Sequence, residues 1–432
     1  MRRLLLPALL LLSLASLPSL DATAQPAHVT VERTATGRWE LRRDGQAFPL
    51  RGVGGFDRLE LAAASGVTAI RTWGIEDLEK PVDGKPLIDR AHELGLAVVA
   101  GLWVAHPFYQ GDYSSPELLE RQRAEVRAAV RKYRDHPALL LWGLGNEMEY
   151  WRDLADPKVW RELEVLARII KEEDPHHPVM TVFAATGRVK LDAVRRYYPS
   201  LDILGINLYG PAAILDSLLD DCDWTGPYIL SEYGPKGPWE VPHTAWGAPI
   251  EQSSADKVVS YVSSHRGALA DPKGRCLGTF AFVWGQKQEA TATWFGMFLP
   301  SGEKTPVVDA MAKEFSGRWP ANRSPRLTSF KTPLALDRVP PGREFPAVVT
   351  AEDAENDTLS YEWQVIAEST DRKAGGADEA APPVIVGCIV GPPAASIVVR
   401  TPEKPGAYRL FVTVRDGRGG GCSDNIPFYV QP

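Results

Sequence analysis

The chain has 432 residues, with 48 Lys and Arg against 55 Asp and Glu and a formal net charge of -7. It contains no basic block, which excludes the phosphate-binding surface that a nucleic-acid partner requires. None of its 4 cysteines joins a Cys–His cluster of zinc spacing, so neither a metal nor another cofactor is expected.

Read in chain order, Arg2 and Arg3 precede an apolar run from Leu4 to Leu14, and Ala22-Thr23-Ala24 supplies small residues. This is the pattern of a secretory signal peptide over residues 1–24, with no membrane span left after cleavage and a secreted or periplasmic destination. Val29–Arg33 and Trp39–Arg43 flank Gly37 and predict a short β-hairpin. An alternation follows. Apolar runs at Phe48–Gly54, Ala69–Trp73, Ala97–Val104, Leu139–Leu144, Val179–Ala184, Ile203–Tyr209, Tyr228–Ser231 and Leu277–Trp284 predict strands. Helical patterns intervene, clearest in Pro116–Tyr133, where Leu119, Val126, Val130 and Tyr133 are candidates for the inner face. Eight strands alternating with helices predict a (β/α)8 TIM barrel over residues 25–319. A doubly wound open sheet is the alternative, but no Gly-rich phosphate loop follows the first strand.

Prolines crowd residues 320–340 and predict a linker. Residues 341–432 break into short alternating runs separated by turns, which predicts a small β-sandwich of immunoglobulin-like type. Within it, the acidic stretch Glu352–Asp357 ahead of Trp363 resembles the early part of polycystic-kidney-type and cadherin-like modules. That acidic turn is read either as a calcium site or as a solvated turn. The cysteines fall two per domain, so Cys222–Cys276 and Cys388–Cys422 are candidate disulfides, with four buried thiols as the alternative.

Two strings carry the chemistry. Leu139–Leu144 runs on through Gly145 and Asn146 to Glu147, and Tyr228–Ser231 runs into Glu232. Strand ends of such a barrel converge on one face, so both carboxylates are expected there. A pair of carboxylates is the minimal equipment for cleaving a glycosidic bond: one protonates the leaving oxygen and the other attacks or activates water.

These motifs resemble the clan A retaining glycoside hydrolases, whose catalytic glutamates end strands four and seven. The resemblance implies that Glu147 is the acid/base and Glu232 the nucleophile. It further implies that Asn146 binds the sugar 2-hydroxyl, that Arg71 in Arg71-Thr72-Trp73-Gly74 accompanies the nucleophile, and that Tyr209 hydrogen-bonds it. Trp284 matches the aromatic floor under the reacting sugar. Within the clan, the motifs are most similar to the barrel domain of glycoside hydrolase family 2 and to β-1,3-glucanosyltransferases with related β-1,3-glucanases. Arg71-Thr72-Trp73-Gly74 departs from the family 2 pattern Arg-x-Ser/Ala-His-Tyr-Pro, and large N-terminal sandwich domains are absent from the sequence read here. The resemblance therefore implies a β-glucan substrate, β-1,3-linked by preference, with transglycosylation and family 2-like exo-β-glycosidase action as alternatives. A non-catalytic carbohydrate-binding protein is the alternative of a different class.

His106 and Asn207 are candidates for the first subsite. Trp73, Trp103, Tyr109 and Tyr113 after strands two and three, with Trp151, Trp239, Trp246 and Trp294 in later loops, are candidates for an aromatic rim. Rings of this kind stack on pyranose C–H faces. An oligo- or polysaccharide is the expected partner. Glu149 is read as a salt-bridge or subsite residue, and His176-His177 as a stability loop at the far end of the barrel.

Overall fold

The structure, a computed structural model, describes residues 26–109, 111–149, 157–373 and 377–432. The signal segment and Trp151 lie outside the described residues. Strands form in all eight predicted places and close into one barrel: β1 (Leu50–Gly54), β2 (Ala69–Arg71), β3 (Ala97–Leu102), β4 (Leu139–Asn146), β5 (Val179–Ala184), β6 (Ile203–Asn207), β7 (Tyr228–Tyr233) and β8 (Cys276–Ala281). Each pairs in parallel with its neighbour in sequence, and β8 pairs with β1. Helices cover the outer face, so the strands are buried on both sides. That is why they read as continuous apolar runs rather than alternating ones.

The helices are α1 (Leu59–Ala64), α2 (Leu87–Glu93), α3 (Pro116–Tyr133), α4 (Pro157–Glu173), α5 (Arg188–Tyr197), α6 (Leu215–Asp220), α7 (Ser254–Leu269) and α8 (Pro306–Ser316). In α3 the local signals agree. Ser115 caps it by accepting from the Leu118 amide (3.3 Å), Pro116 occupies the first turn, and Arg131 and Lys132 sit in the last. Leu118, Gln122, Val126, Val130 and Tyr133 form its buried stripe. Leu119, expected on that stripe, is only half-buried because Leu118 takes the inward position.

One end of the barrel interior is filled by Leu50, Val99, Leu141, Met180, Val182, Ile203, Ile229 and Phe280. The N-terminal hairpin, Val29–Arg33 antiparallel to Trp39–Arg43, adds Val29 and Leu41 to the same cluster and stoppers that end. Nearby, Asp174 Oδ2 lies 2.8 Å from His177 Nδ1 and accepts from Trp142 Nε1 (2.8 Å), while the Val29 amide donates to the His176 carbonyl (2.9 Å). The His-His loop thus ties the hairpin to the barrel floor, away from the strand ends that carry Glu147 and Glu232.

The C-terminal unit comprises β9 (Arg326–Lys331), β10 (Arg338–Val339), β11 (Glu344–Glu352), β12 (Ser360–Ala367), β13 (Ile389–Val390), β14 (Ser396–Arg400), β15 (Gly406–Arg415) and β16 (Gly421–Val430). These form two four-stranded sheets, ordered β9-β11-β14-β13 and β10-β16-β15-β12, whose inner residues share one core around Trp363, Val365, Leu410, Val412 and Phe428. Strands β9 and β10 lie within the proline-rich stretch 320–340. In the acidic turn, Glu355 pairs with Arg323 (2.9 Å) and Asp357 with Arg418 (3.2 Å).

The two candidate disulfides are not formed; all four cysteines are free thiols. The Cys276 thiol turns instead to the Gly278 carbonyl (3.5 Å), and its burial raises its pKa to about 12. Cys388 and Cys422 are absorbed into the sandwich core as small apolar side chains. Among the described residues, no helix is long and apolar enough to cross a membrane.

Gly52 in β1 makes room for the Phe280 ring, since a Cβ built there meets that ring at 2.2 Å. Gly52→Ala is expected to destabilise the barrel by about 1–3 kcal/mol, read as a lowered midpoint in urea unfolding.

Candidate active site

Four strand ends meet at the face opposite the hairpin. Register irregularities fall near these ends, between Met180 and Val182 in the pairing with β4, at Ile206/Asn207 against β7, and between Leu230 and Tyr233 against β8. Such bulges re-aim side chains at the rim of a barrel. They coincide here with the strands that carry Asn146, Asn207 and Glu232.

Arg71, at the end of β2, is almost fully buried. Its Nη1 donates to Glu232 Oε1 (2.8 Å) and to the Ser231 carbonyl (3.0 Å), and its Nη2 donates to Asn146 Oδ1 (2.7 Å). Glu232 also accepts from Trp73 Nε1 at Oε1 (3.0 Å) and from the Tyr209 hydroxyl at Oε2 (2.9 Å). Each oxygen therefore has a donor, and the paired cation offsets the cost of burying the charge. Burial, followed by the charges of Glu232 and Glu147, pushes the Tyr209 phenol far above its usual range. It remains a donor.

Glu147 has the opposite environment. Burial first, then the charge of Glu232, raises its pKa to about 7, against the opposing hydrogen bond from Asn207. Asn207 Nδ2 donates to Glu147 Oε1 (2.8 Å) and to Asn146 Oδ1 (3.2 Å), and Asn207 Oδ1 accepts from the Ser231 hydroxyl (2.9 Å). With Asn146 Oδ1 taken by Arg71 and Asn207, the Asn146 amide NH2 is the donor still available among the described residues.

The backbone at Glu147 is left-handed, with φ 51°, directly after Asn146 and two residues after Gly145 with φ 69°. This costs on the order of 1–2 kcal/mol for a residue with a Cβ. It is held from both sides: the Glu147 amide donates to the Val182 carbonyl (2.8 Å), and the Glu147 carbonyl lies 2.7 Å from His106 Nε2. Because His106 Nδ1 accepts from the Phe108 amide (3.1 Å), the proton sits on Nε2 and the ring is neutral. Burial lowers the pKa of His106 in the same sense.

Arg71, Trp73, His106, Asn146, Glu147, Asn207, Tyr209 and Glu232 thus form one connected network. Trp284 is not part of it. Its ring is 1% exposed, its Nε1 donates to the Asp57 carbonyl (2.5 Å), and it packs edge-on to Phe298 (5.2 Å). The open aromatic faces lie elsewhere: Trp103 is 51% and Trp239 62% exposed, the latter edge-on to Tyr209 at 5.9 Å. Tyr109 is also exposed, whereas Tyr113 and Trp294 are buried and Trp246 packs on Tyr429 of the sandwich (5.7 Å). Glu149 takes the salt-bridge alternative, pairing with Lys190 and accepting from the Ala184 amide (2.7 Å). Ser231 was not singled out from the sequence. Its signal is a polar side chain inside the apolar strand β7, next to Glu232.

Removing the Asn207 amide takes away a bond that favours ionised Glu147. Asn207→Ala is therefore expected to move the Glu147 titration upward from about 7, followed by carbon NMR of labelled glutamate carboxyls.

Residues 83–237, a segment that contains both glutamates, match the family model described as "Glycosyl hydrolases family 2, TIM barrel domain". A curated relative, "Beta-mannosidase B" of Thermothelomyces thermophilus, is 28% identical over 128 residues, which is 27% of this chain and 14% of that protein. Among solved structures, a β-glucuronidase of Bacteroides uniformis superposes on 94% of this chain and 48% of its own, with TM-score 0.51 and 15% identity. A β-glucuronidase of Ruminococcus gnavus covers 68% of this chain and 53% of its own, with TM-score 0.51 and 14% identity. The chain thus spans about half the length of these solved structures, and at such identity the likeness concerns the fold. The resemblance to β-1,3-glucanosyltransferases draws no support from these matches. Over residues 83–237 the family resemblance is to the family 2 barrel.

Proposed function

We propose that the protein is a retaining β-glycosidase of the family 2 kind, acting by double displacement. One observation carries this reading: two neighbouring carboxylates, Glu147 half-buried and Glu232 buried, have different surroundings. Glu147 titrates near 7 with Glu232 as a cause, and Glu232 is held by Arg71, Trp73 and Tyr209. A carboxyl that keeps its proton to about 7 is suited to act as the acid, and a carboxylate held by three donors is suited to act as the nucleophile.

In the first step Glu232 attacks the anomeric carbon, the glycosidic C–O bond breaks, and Glu147 gives its proton to the departing oxygen. The ester that forms removes the negative charge of Glu232. That charge is one of the causes holding the Glu147 proton on, so Glu147 becomes a better base. It then takes a proton from water, which attacks the same carbon and frees Glu232. The free Asn146 amide is suited to the sugar 2-hydroxyl, and the Trp73 ring takes the place beside the nucleophile that Trp284 does not fill.

The segment match and β-mannosidase B favour an exo-β-glycosidase, with β-mannosides and β-glucuronides the first substrates to try. The expectation of β-1,3-glucan stands behind these. The exposed rings of Trp103 and Trp239 support an oligosaccharide rather than a compact aglycone. Transfer to an acceptor sugar instead of water is the second reading, favoured by the same exposed rings. We also propose that the chain is exported and that its two-sheet C-terminal unit is immunoglobulin-like.

The test is a panel of aryl β-glycosides and β-linked mannan, glucan and galactan oligosaccharides, with NMR of the first-formed anomer. Retained configuration is expected; inverted product or no turnover overturns the proposal. Because the acid must be protonated in the free enzyme, kcat/KM should fall as pH rises through about 7. Glu147→Ala should lower the rate on poor leaving groups by about 10²–10⁴-fold, and azide should trap the β-glycosyl azide. Wild-type-like activity of Glu232→Gln would sink the assignment.

A further inference from the structure

We propose that the C-terminal sandwich is a working part of the site, clamping the loop that follows β8 and thereby holding the two ring donors of Glu232. The catalytic half of this inference rests on the glycosidase reading above. The loop, residues 286–296, is gripped at two places. The Ala290 amide donates to Glu379 Oε2 (2.7 Å), and Glu379 belongs to the sandwich segment between β12 and β13. Its other oxygen accepts from the Lys373 amide (3.1 Å), so the carboxylate joins sandwich backbone to loop backbone. On the other side, Asn425 in β16 donates to Glu251 Oε2 (2.6 Å). The same buried carboxylate accepts from Thr291 Oγ1 (2.6 Å) and Thr293 Oγ1 (2.9 Å).

The grip is stiff because its groups are buried charges with specific partners. Lys257 pairs with Glu251 and donates to the Thr293 carbonyl (2.5 Å). Arg409 in β15 donates to Asn425 Oδ1 (2.8 Å) and to the Pro249 carbonyl (2.6 Å). Each charge has its counter-ion in its own unit, Glu251 with Lys257 and Arg409 with Glu368 (2.7 Å), so the bonds that cross here are the charge-assisted ones from Asn425 to Glu251 and from Arg409 to the Pro249 carbonyl.

From the loop the contact passes to the site through rings. Ala290, Trp294 and Phe295 form one buried cluster with Val241 and Phe282, and Trp73 and Tyr209 pack against it. Phe295 lies 5.1 Å from Tyr209, and Phe282 lies 5.8 Å from Trp73 and 6.0 Å from Tyr209. Trp73 and Tyr209 are the donors to the two oxygens of Glu232. Glu379 and Asn425 are therefore positioning residues that act through Phe295, Tyr209 and Trp73.

The test uses the full chain carrying Glu379→Ala, Asn425→Ala, or the sandwich-surface control Val386→Ala. Peptide-level hydrogen exchange should rise in residues 286–296 for the first two variants, with the control unchanged. On the aryl glycoside that the wild type cleaves best, kcat should fall about tenfold with KM within about twofold, because a slightly displaced nucleophile acts in the transition state. Glu379→Gln, which keeps an acceptor for the Ala290 amide, should recover most of that loss. Unchanged exchange in the loop overturns the clamp. Raised exchange with unchanged kcat overturns its catalytic role. If the wild type cleaves no glycoside, the functional reading fails, while the clamp is still judged by exchange alone.

Discussion

The guanidinium of Arg71 is the group on which the rest of the site depends. One buried cation joins the end of β2 to the β7 backbone, to the Glu232 carboxylate and to the Asn146 side chain on β4. Without it, a carboxylate at the head of β7 would face the desolvation cost of a lone buried charge. With it, Glu232 is held by hydrogen-bond donors beside Glu147, where it is one cause of the raised Glu147 pKa. The parallel barrel makes such a bridge available, because it delivers the ends of non-adjacent strands to one small area. Side chains from β2, β4, β6 and β7 meet there and are joined by Trp73, His106, Glu147 and Tyr209 from the segments that follow the strands.

The two ends of the barrel do different work with similar materials. At the hairpin end, the Asp174 carboxylate ties Trp142 Nε1 to His177 Nδ1 beneath a packed apolar plug. At the other end, Asn207 spends both amide hydrogens on Glu147 and Asn146, and the Asn146 amide is left as spare donor capacity among the described residues. Polar groups that are fully satisfied stiffen a fold, and polar groups left with spare capacity recognise something.

The barrel was legible because strands buried on both faces leave uninterrupted apolar runs, and all eight runs became strands. Glu147, Glu232, Asn146, Asn207, Arg71 and Tyr209 were legible for the same reason: each stands where an apolar run ends, and topology then determines their meeting. Trp284 shows where this logic stops. Its position at a strand end was readable, but its ring direction depends on Asp57 and Phe298, which no local pattern connects to it. The cysteine pairs failed on similar grounds, since even division between two units says nothing of which way each thiol points. The Glu379–Ala290 contact spans 89 positions and joins two irregular segments, so neither periodicity nor spacing marks it.

The left-handed backbone at Glu147 has a consequence for how this protein is tuned. A glycine there would occupy the same φ without steric penalty, so the residue proposed as the acid/base is also a local source of instability. Mutational drift toward a more heat-resistant chain would therefore find a gain at this position, and under the proposed acid/base role only selection on activity opposes it.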